Sequence, residues 1–379
     1  MNVLYSIGMT FAGGGIGTTA YHEARALYQH NSLIRLLCGA YRPSDIPANI
    51  IKAMGWPSRM LRRLALYDPA RRIAYLHNML YDRWSTRHFA PADVFLVWGG
   101  FGLQALHQAK SKGMKTIVHW ASSHPLFRHA LFVEEYERTG IGALPPEHMQ
   151  KRALAEFEAA DSVMVPSQFV ADTFQKYGFP SERLFVNPYG VDTKRFQPAH
   201  QRPDDGIFRA LFVGQVGTRK GIHYLLEAWD RLGWRDAELL IVGRPVAGIK
   251  PLLQRYAHHP TIRWVGHVRD PRPLYQQADV FVFPTIEEGS ALVTYEALAS
   301  GLPVITTPHA GAVARHGEEG LIVPIRDSMA VANALEYMRA HPSERQAMAR
   351  AARQRALEFS WEAHGERLLA HFQAHLQRR

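Results

Sequence analysis

A chain of 379 residues is too long for one ordinary hydrophobic core and suits two domains. Hydrophobic residues at 47% and charged residues at 21% fit a folded globular protein, no apolar run reaches the ~20 residues of a membrane-spanning helix, and the formal charge of +10 favours anionic partners. The single cysteine, Cys38, excludes an internal disulfide and makes the reducing cytoplasm the expected compartment.

In chain order, short apolar runs alternate with helical patterns, the signature of βαβ units and parallel sheets. Strands are expected at residues 3–7, 33–37, 94–97, 116–118, 162–165 and 184–186, and the pattern restarts at 209–213, 239–242, 262–265, 280–283, 304–306 and 321–323. The opening MNVLYSIGMTFAGGG lacks a basic region and a small-residue cleavage site, so it reads as the first strand and its loop. Residues 188–206, PYGVDTKRFQPAHQRPDDG, are dense in turn formers and charge and read as a linker. The fold class is therefore α/β, with two Rossmann-like, doubly wound parallel-sheet domains at residues 1–195 and 196–360. The helical residues 361–379 are expected to leave the second domain and pack back on the first. Ligands of such sheets bind at the carboxyl ends of the strands, so the motifs should fall just after strands and the site in a cleft between the domains.

The first such loop, GMTFAGGGIGTTA, holds Gly13, Gly14, Gly15 and Gly17 ahead of a helix. Glycines admit a phosphate or sugar close to the backbone, and a tight turn is the plainer alternative. A dinucleotide fingerprint fails here, because Thr18 takes the last glycine's place and the second strand ends in Cys38-Gly39-Ala40 without a ribose-binding acid. Residues 41–90 hold nine Lys and Arg against three acids. Within them RMLRRLALYDPARRIAYL interleaves Arg with Leu, Ile and Tyr, which suits a helix lying on anionic lipid, interrupted at Pro69; a solvated basic face is the alternative. In the second half VGQVGTRKG places Arg219 and Lys220 at a helix start, where two cations oppose the dipole unless a polyanion such as a diphosphate lies there. EGSALVTYEALASGLP then sets Glu296 inside an otherwise apolar helix. A carboxylate there needs a cationic partner or a ligand.

These residues carry a family resemblance. PTIEEGSALVTYEALASGLPVITT resembles the E-x7-E motif of the retaining glycosyltransferases of family 4, which have the GT-B fold of two facing Rossmann-like domains. ADSVMVPSQFVADTF, VNPYGVDTKRF, FVGQVGTRKG, LYQQADVFVFPT and the terminal FSWE extend the similarity over nearly the whole chain. The resemblance implies transfer of a hexose-type sugar from a nucleotide-sugar, UDP- or GDP-linked, to an acceptor hydroxyl with retention. It implies no cofactor and no metal, in keeping with the absence of a D-x-D triplet. Glu288 would contact the donor sugar, Glu296 the ribose and Lys220 the diphosphate. Gly14 and Gly15 would lie near the reacting centre, and the amides of Gly289, Ser290, Ala291 and Leu292 would hold the charge between the glutamates. Gly266, His267 and Val268, with Gly243 and Arg244, would surround the base. Gln215 stands where many relatives have Arg, so either Arg219 is the substitute cation or the phosphate is held less tightly. The family's histidine near the anomeric carbon is matched by His119 or His124, with His124 preferred because Ala121-Ser122-Ser123 would carry it beyond the strand end. A glycan or lipid-linked acceptor in bacterial cell-surface polysaccharide or glycolipid assembly is expected, with a peripheral site at the inner face of the membrane and no nucleic acid partner. Two rival readings are a nucleotide-sugar epimerase or phosphorylase on the same fold and a non-catalytic protein that binds through its basic surface.

Overall fold

The computed structural model describes residues 1–68, 70–142, 144–201 and 205–377. Seven strands form one parallel sheet: β1 (Val3–Phe11), β2 (Leu33–Tyr41), β3 (Ile51–Ala53), β4 (Val94–Trp98), β5 (Lys115–His119), β6 (Ser162–Val165) and β7 (Leu184–Val186), in the order β3-β2-β1-β4-β5-β6-β7. Six form a second: β8 (Phe208–Val213), β9 (Ala237–Val242), β10 (Ile262–Gly266), β11 (Val280–Phe283), β12 (Val304–Thr306) and β13 (Gly320–Ile322), in the order β10-β9-β8-β11-β12-β13. All pairings within both sheets are parallel. Strands such as VFLVW and VFVF are apolar without alternation because helices cover both faces of each sheet, and all their residues are buried. β3 escapes sequence detection because its three residues, Ile-Lys-Ala, are too few to show a period.

The chain divides into two compact units. Unit 1 holds residues 1–127, 143–187 and 361–379, and unit 2 holds residues 128–142 and 188–360. The division near residue 195 read from the linker thus falls at 187/188. The cause is visible in unit 2, where the Arg353 guanidinium donates to the carbonyls of Thr193 and Phe196 and ties this stretch to a helix of that unit. Residues 128–142 also group with unit 2, because Glu135 accepts from Arg326 at 2.9 Å and lies 2.7 Å from His223 Nε2.

The helix Trp361–Gln377 belongs to unit 1. It presses on the helix Ile16–Gln29 at Gly365, where a Cβ would lie 2.5 Å from that of Ala26, and Trp361 stacks on His22 at 4.2 Å.

Both sheets have the strand order in which the chain leaves one central strand for one edge and later returns beside it for the other. The resulting switch points lie between β1 and β4 and between β8 and β11. Ligands in doubly wound sheets bind outside the carboxyl ends of such strand pairs, which makes the loops leaving β1, β4, β8 and β11 the candidate ligand loops.

Candidate active site

In unit 2 the loops leaving β8 and β11 are stitched together. Gly221 has φ +67°, and a Cβ there would come within 1.8 Å of the Pro284 carbonyl, so only glycine permits this approach. Ile286 N–H and the Thr285 hydroxyl both donate to the Arg219 carbonyl at 2.9 Å. The Lys220 ammonium and the Arg219 guanidinium thereby meet the same carboxylate, Glu288, while buried Glu287 lies 3.7 Å from Arg219. Burial pulls the Lys220 ammonium below its usual range even with Glu288 beside it. For Arg219, burial acts downward too, but Glu288 and Glu287 outweigh it and hold the group above its usual range. The two cations expected to face a polyanion are thus balanced here by a carboxylate. Glu287 is the member of this cluster that the sequence did not single out.

Glu296 stands on the helix Leu292–Ala299. Its carboxylate accepts the Tyr275 hydroxyl at 3.0 Å and has no cation within ion-pair distance among the described residues. Burial pushes its pKa up to about 7, with the Tyr275 hydroxyl and distant Arg195 opposing the rise. The eight-residue step from Glu288 to Glu296 is only half helical, because the helix starts at Leu292. One expectation is corrected: the Ala291 N–H cannot hold a ligand's charge, since it donates to the Ala310 carbonyl at 3.0 Å. Ser290 is engaged as well, its hydroxyl donating to Gly311 and lying 2.8 Å from the Tyr295 hydroxyl. Gly289 is buried, and Leu292 opens the helix.

Beyond the ends of β8, β9 and β10 lies a cavity of about 360 Å³, lined in part by Gly214, Gln215, Gly243, Arg244, His267 and Val268. Gly243 is forced by the Gly214 carbonyl, which a Cβ would meet at 1.7 Å, and Gly266 turns the chain with φ +75°. Gln215 therefore sits on the cavity wall, beside the residues expected around a base.

In unit 1 the glycine loop sorts its glycines by cause. A Cβ on Gly17 would lie 2.3 Å from the Thr10 carbonyl and one on Gly13 2.9 Å from it, so these two close the turn. Gly14 and Gly15 are exposed and nothing lies within 4 Å of a Cβ there. The loop after β4 is held from below by the buried Glu156, which accepts from Gly100 N–H at 2.5 Å and Gly102 N–H at 2.9 Å. Burial raises Glu156 to about 7, although Arg152 opposes this.

The two candidate histidines prove to be packed differently. His119 ends β5 and places Nδ1 3.0 Å from Glu23, which also accepts the Tyr5 hydroxyl at 2.5 Å and lies 3.2 Å from His364 Nε2. Burial would raise the Glu23 carboxyl, but His119 and then His364 outweigh it and hold it down at about 2. His124 does not project freely past the strand end as Ala121-Ser122-Ser123 led us to expect. Its backbone N–H donates to Thr173 at 2.9 Å, and its ring stacks on Tyr177 at 4.7 Å and meets the edge of Phe174 at 5.0 Å. Burial lowers its pKa to about 4, so it is neutral at physiological pH. Glu23 and His364 had no motif to announce them, since each looks like an ordinary helical residue until the fold brings them together.

Residues 13–195 match the family described as Glycosyltransferase Family 4, and residues 208–341 match Glycosyl transferases group 1. The chain belongs to the family 4, group 1 glycosyltransferases. A D-inositol 3-phosphate glycosyltransferase of Corynebacterium urealyticum is 33% identical over 225 residues, covering 53% of this chain and 53% of that protein. The chain spans about half the length of the curated relatives it matches. Among solved structures, sucrose-phosphate synthase from Thermosynechococcus elongatus aligns over 100% of both chains with a TM-score of 0.71 at 19% identity. HepE of Anabaena, solved with UDP and glucose, aligns over 99% of this chain and 100% of its own with a TM-score of 0.69 at 14% identity. These likenesses establish the GT-B fold of two parallel-sheet α/β domains.

Proposed function

We propose that this chain transfers a sugar from a nucleotide-sugar to an acceptor hydroxyl, with retention of anomeric configuration and without a metal. The observation that carries the reading is the cluster of Lys220, Arg219 and Glu288 at the β8–β11 switch point, on the same unit as Glu296, a carboxylate with no cation partner among the described residues. In this reading the donor diphosphate takes the two cations and releases Glu288 to the sugar hydroxyls, Glu296 accepts the ribose hydroxyls, and the base enters the cavity beside Gln215, Arg244 and His267. The bond between the anomeric carbon and the diphosphate breaks with its electron pair going to the phosphate oxygen, where Lys220 and Arg219 stabilise the charge. The acceptor oxygen bonds to the same face of that carbon, and its proton passes to a phosphate oxygen. Gly14 and Gly15 leave backbone open to a substrate in unit 1. A thermal-shift screen across UDP, GDP, ADP and CDP tests the donor side. The UDP bound to HepE makes a uridine nucleotide the first expectation. A ligand at ~100 times its dissociation constant stabilises by ~2.7 kcal/mol, and no shift with any of the four overturns the reading.

A lipid-linked acceptor at a membrane surface is supported by a separate observation. Trp56, Met60, Leu64, Leu66, Tyr67, Leu76, Met79 and Leu80 are all exposed, with Trp56 at 68%, Leu66 at 81% and Tyr67 at 80%, and exposed Arg59, Arg63, Arg71 and Arg72 lie among them. The segment folds as the helix Trp56–Leu64, a tight turn at Ala65–Tyr67 and the helix Arg72–Thr86, while Pro69 lies outside the described residues. No helix of the described residues is long and apolar enough to cross a membrane. Apolar side chains ringed by Arg suit the interface of an anionic bilayer. Charge reversal of Arg59, Arg63, Arg71 and Arg72 should abolish sedimentation with anionic liposomes and spare nucleotide binding. Absence of liposome binding by the wild type at low salt would sink this part.

A further inference from the structure

The helix Trp56–Leu64 has an inner face that the membrane reading does not use. Ser58 is fully buried, with its hydroxyl 2.8 Å from His77 Nε2, and it sits so close to β2 that a Cβ on Gly39 would lie 2.6 Å from Ser58 Oγ. That approach turns Arg62, one helical turn later, away from the exposed arginines and toward the glycine loop. Its Nη1 donates to Thr10 Oγ1 at 2.7 Å. Thr10 is the residue whose carbonyl fixes Gly13 and Gly17, so Arg62 sits at the root of the loop whose outer glycines, Gly14 and Gly15, are bare.

What sets Arg62 apart is how few partners its guanidinium has. Arg152, Arg209 and Arg326 each have two carboxylates within ion-pair distance, and Arg183 and Arg353, which have none among the described residues, each donate to three or more carbonyls. Arg62 is partly buried and, among the described residues, meets no carboxylate at that distance; its one hydrogen-bond partner is a neutral hydroxyl. A guanidinium has five N–H donors in a planar fork, so most of its capacity is unspent. Burial lowers the Arg62 pKa, the mark of a cation that has lost water without gaining a counter-charge.

We infer that Arg62, with the open backbone at Gly14 and Gly15, binds a phosphate group carried by the acceptor. The inference rests on the transferase reading and gives the acceptor a chemical class, a phosphate ester. A guanidinium fork matches two oxygens of a phosphate, and glycines without Cβ atoms let a tetrahedral oxyanion reach the chain. The phosphate has two sources: a lipid headgroup, reached from the exposed apolar face of the same helix, or a soluble phosphorylated acceptor.

The test is a titration of the full chain with glycerol phosphate at constant ionic strength, followed by thermal shift, beside a titration with the nucleoside diphosphate that the screen selects. Arg62→Gln should bind glycerol phosphate about tenfold more weakly, as expected for a lost charge-assisted hydrogen bond, and keep its nucleotide response. Lys112→Gln, a change of an exposed lysine elsewhere in unit 1, should match the wild type. Lys220→Ala should lose the nucleotide response and keep the glycerol phosphate response, so failure of the donor reading and failure of this one are told apart. Unchanged glycerol phosphate binding in Arg62→Gln, or its loss in Lys220→Ala, overturns the inference. If Arg62→Gln does not fold, Arg62→Lys keeps the charge without the fork and should bind several-fold more weakly, and wild-type binding by it is equally fatal. Vesicles containing phosphatidic acid, set against vesicles of equal charge made with oleate, distinguish the sources. A preference for phosphatidic acid that vanishes in Arg62→Gln assigns a lipid phosphate, and no preference beside retained glycerol phosphate binding assigns a soluble one.

Discussion

Two carboxylates on helices behind ligand loops, the fully buried Glu23 in unit 1 and the half-buried Glu296 in unit 2, have opposite surroundings. Glu23 is reached by two histidines and a tyrosine hydroxyl and is held down at about 2. Glu296 has, among the described residues, a tyrosine hydroxyl alone and is pushed up to about 7. An acid whose lone pairs are filled from within the fold serves the fold. An acid left at the edge of neutrality has capacity for donors that arrive with a ligand. The structural alternative for Glu296, an ion pair with a buried Arg or Lys, is absent among the described residues.

The largest effect should come from the satisfied acid. Glu23→Ala leaves His119 and His364 without their shared carboxylate and should cost about 3–5 kcal/mol in a urea titration, the usual penalty for breaking a buried charged network. Because the Glu23 pKa is depressed, its contribution is present above the unfolded value near 4.5 and lost as pH falls toward about 2. The acid limb of the wild-type stability curve over that window should therefore be missing in the variant. An unchanged limb would make Glu23 as idle as Glu296 and erase the contrast.

Next, Glu288→Gln should lower donor turnover by ~10- to 100-fold, or ~1.4 to 2.7 kcal/mol in the barrier, while nucleoside diphosphate affinity stays near wild type. A fall in affinity with unchanged turnover would place Glu288 on the nucleotide instead of the sugar.

Glu296→Gln should weaken nucleoside diphosphate binding about tenfold, ~1.4 kcal/mol, by exchanging charged acceptors for neutral ones. Its melting temperature should hold or rise, because a raised pKa means that the ionised form is disfavoured by folding. If calorimetry instead finds wild-type affinity and a lower melting temperature, Glu296 is the structural acid and Glu23 has no counterpart.

The smallest effect is the pH dependence. Hydroxyl donors favour the ionised Glu296, so wild-type nucleotide affinity should fall several-fold as pH drops through about 7, and Glu296→Gln should show a flatter profile. Equal slopes in the two proteins would assign the titration to another group, including the diphosphate itself.

Much of the architecture was legible because buried parallel strands leave apolar runs that need no partner to be recognised. Eleven of the expected strands lie within the observed ones, although β1 and β2 run four residues further, to Phe11 and Tyr41, and β13 slips by one residue, to Gly320–Ile322. Arg219, Lys220, Glu288 and Glu296 of unit 2 were legible because they lie within two short stretches, a loop after β8 and the loop and helix after β11, where spacing along the chain limits separation in space. What stayed hidden was set by contacts between distant residues. His364 meets Glu23 across 341 positions, and Arg62 meets Thr10 across 52. His124 was drawn aside by the hydroxyl of Thr173, which no local pattern could reveal.

The helix Trp361–Gln377 carries one more consequence. Since His364 supplies part of the surroundings of Glu23, the sheet that begins at Val3 is finished by a helix that the ribosome makes more than 300 residues later. Most of unit 2 is contiguous and can settle as soon as it has emerged, so of the two units the one whose synthesis starts earlier should be the later to become protected from a protease during translation.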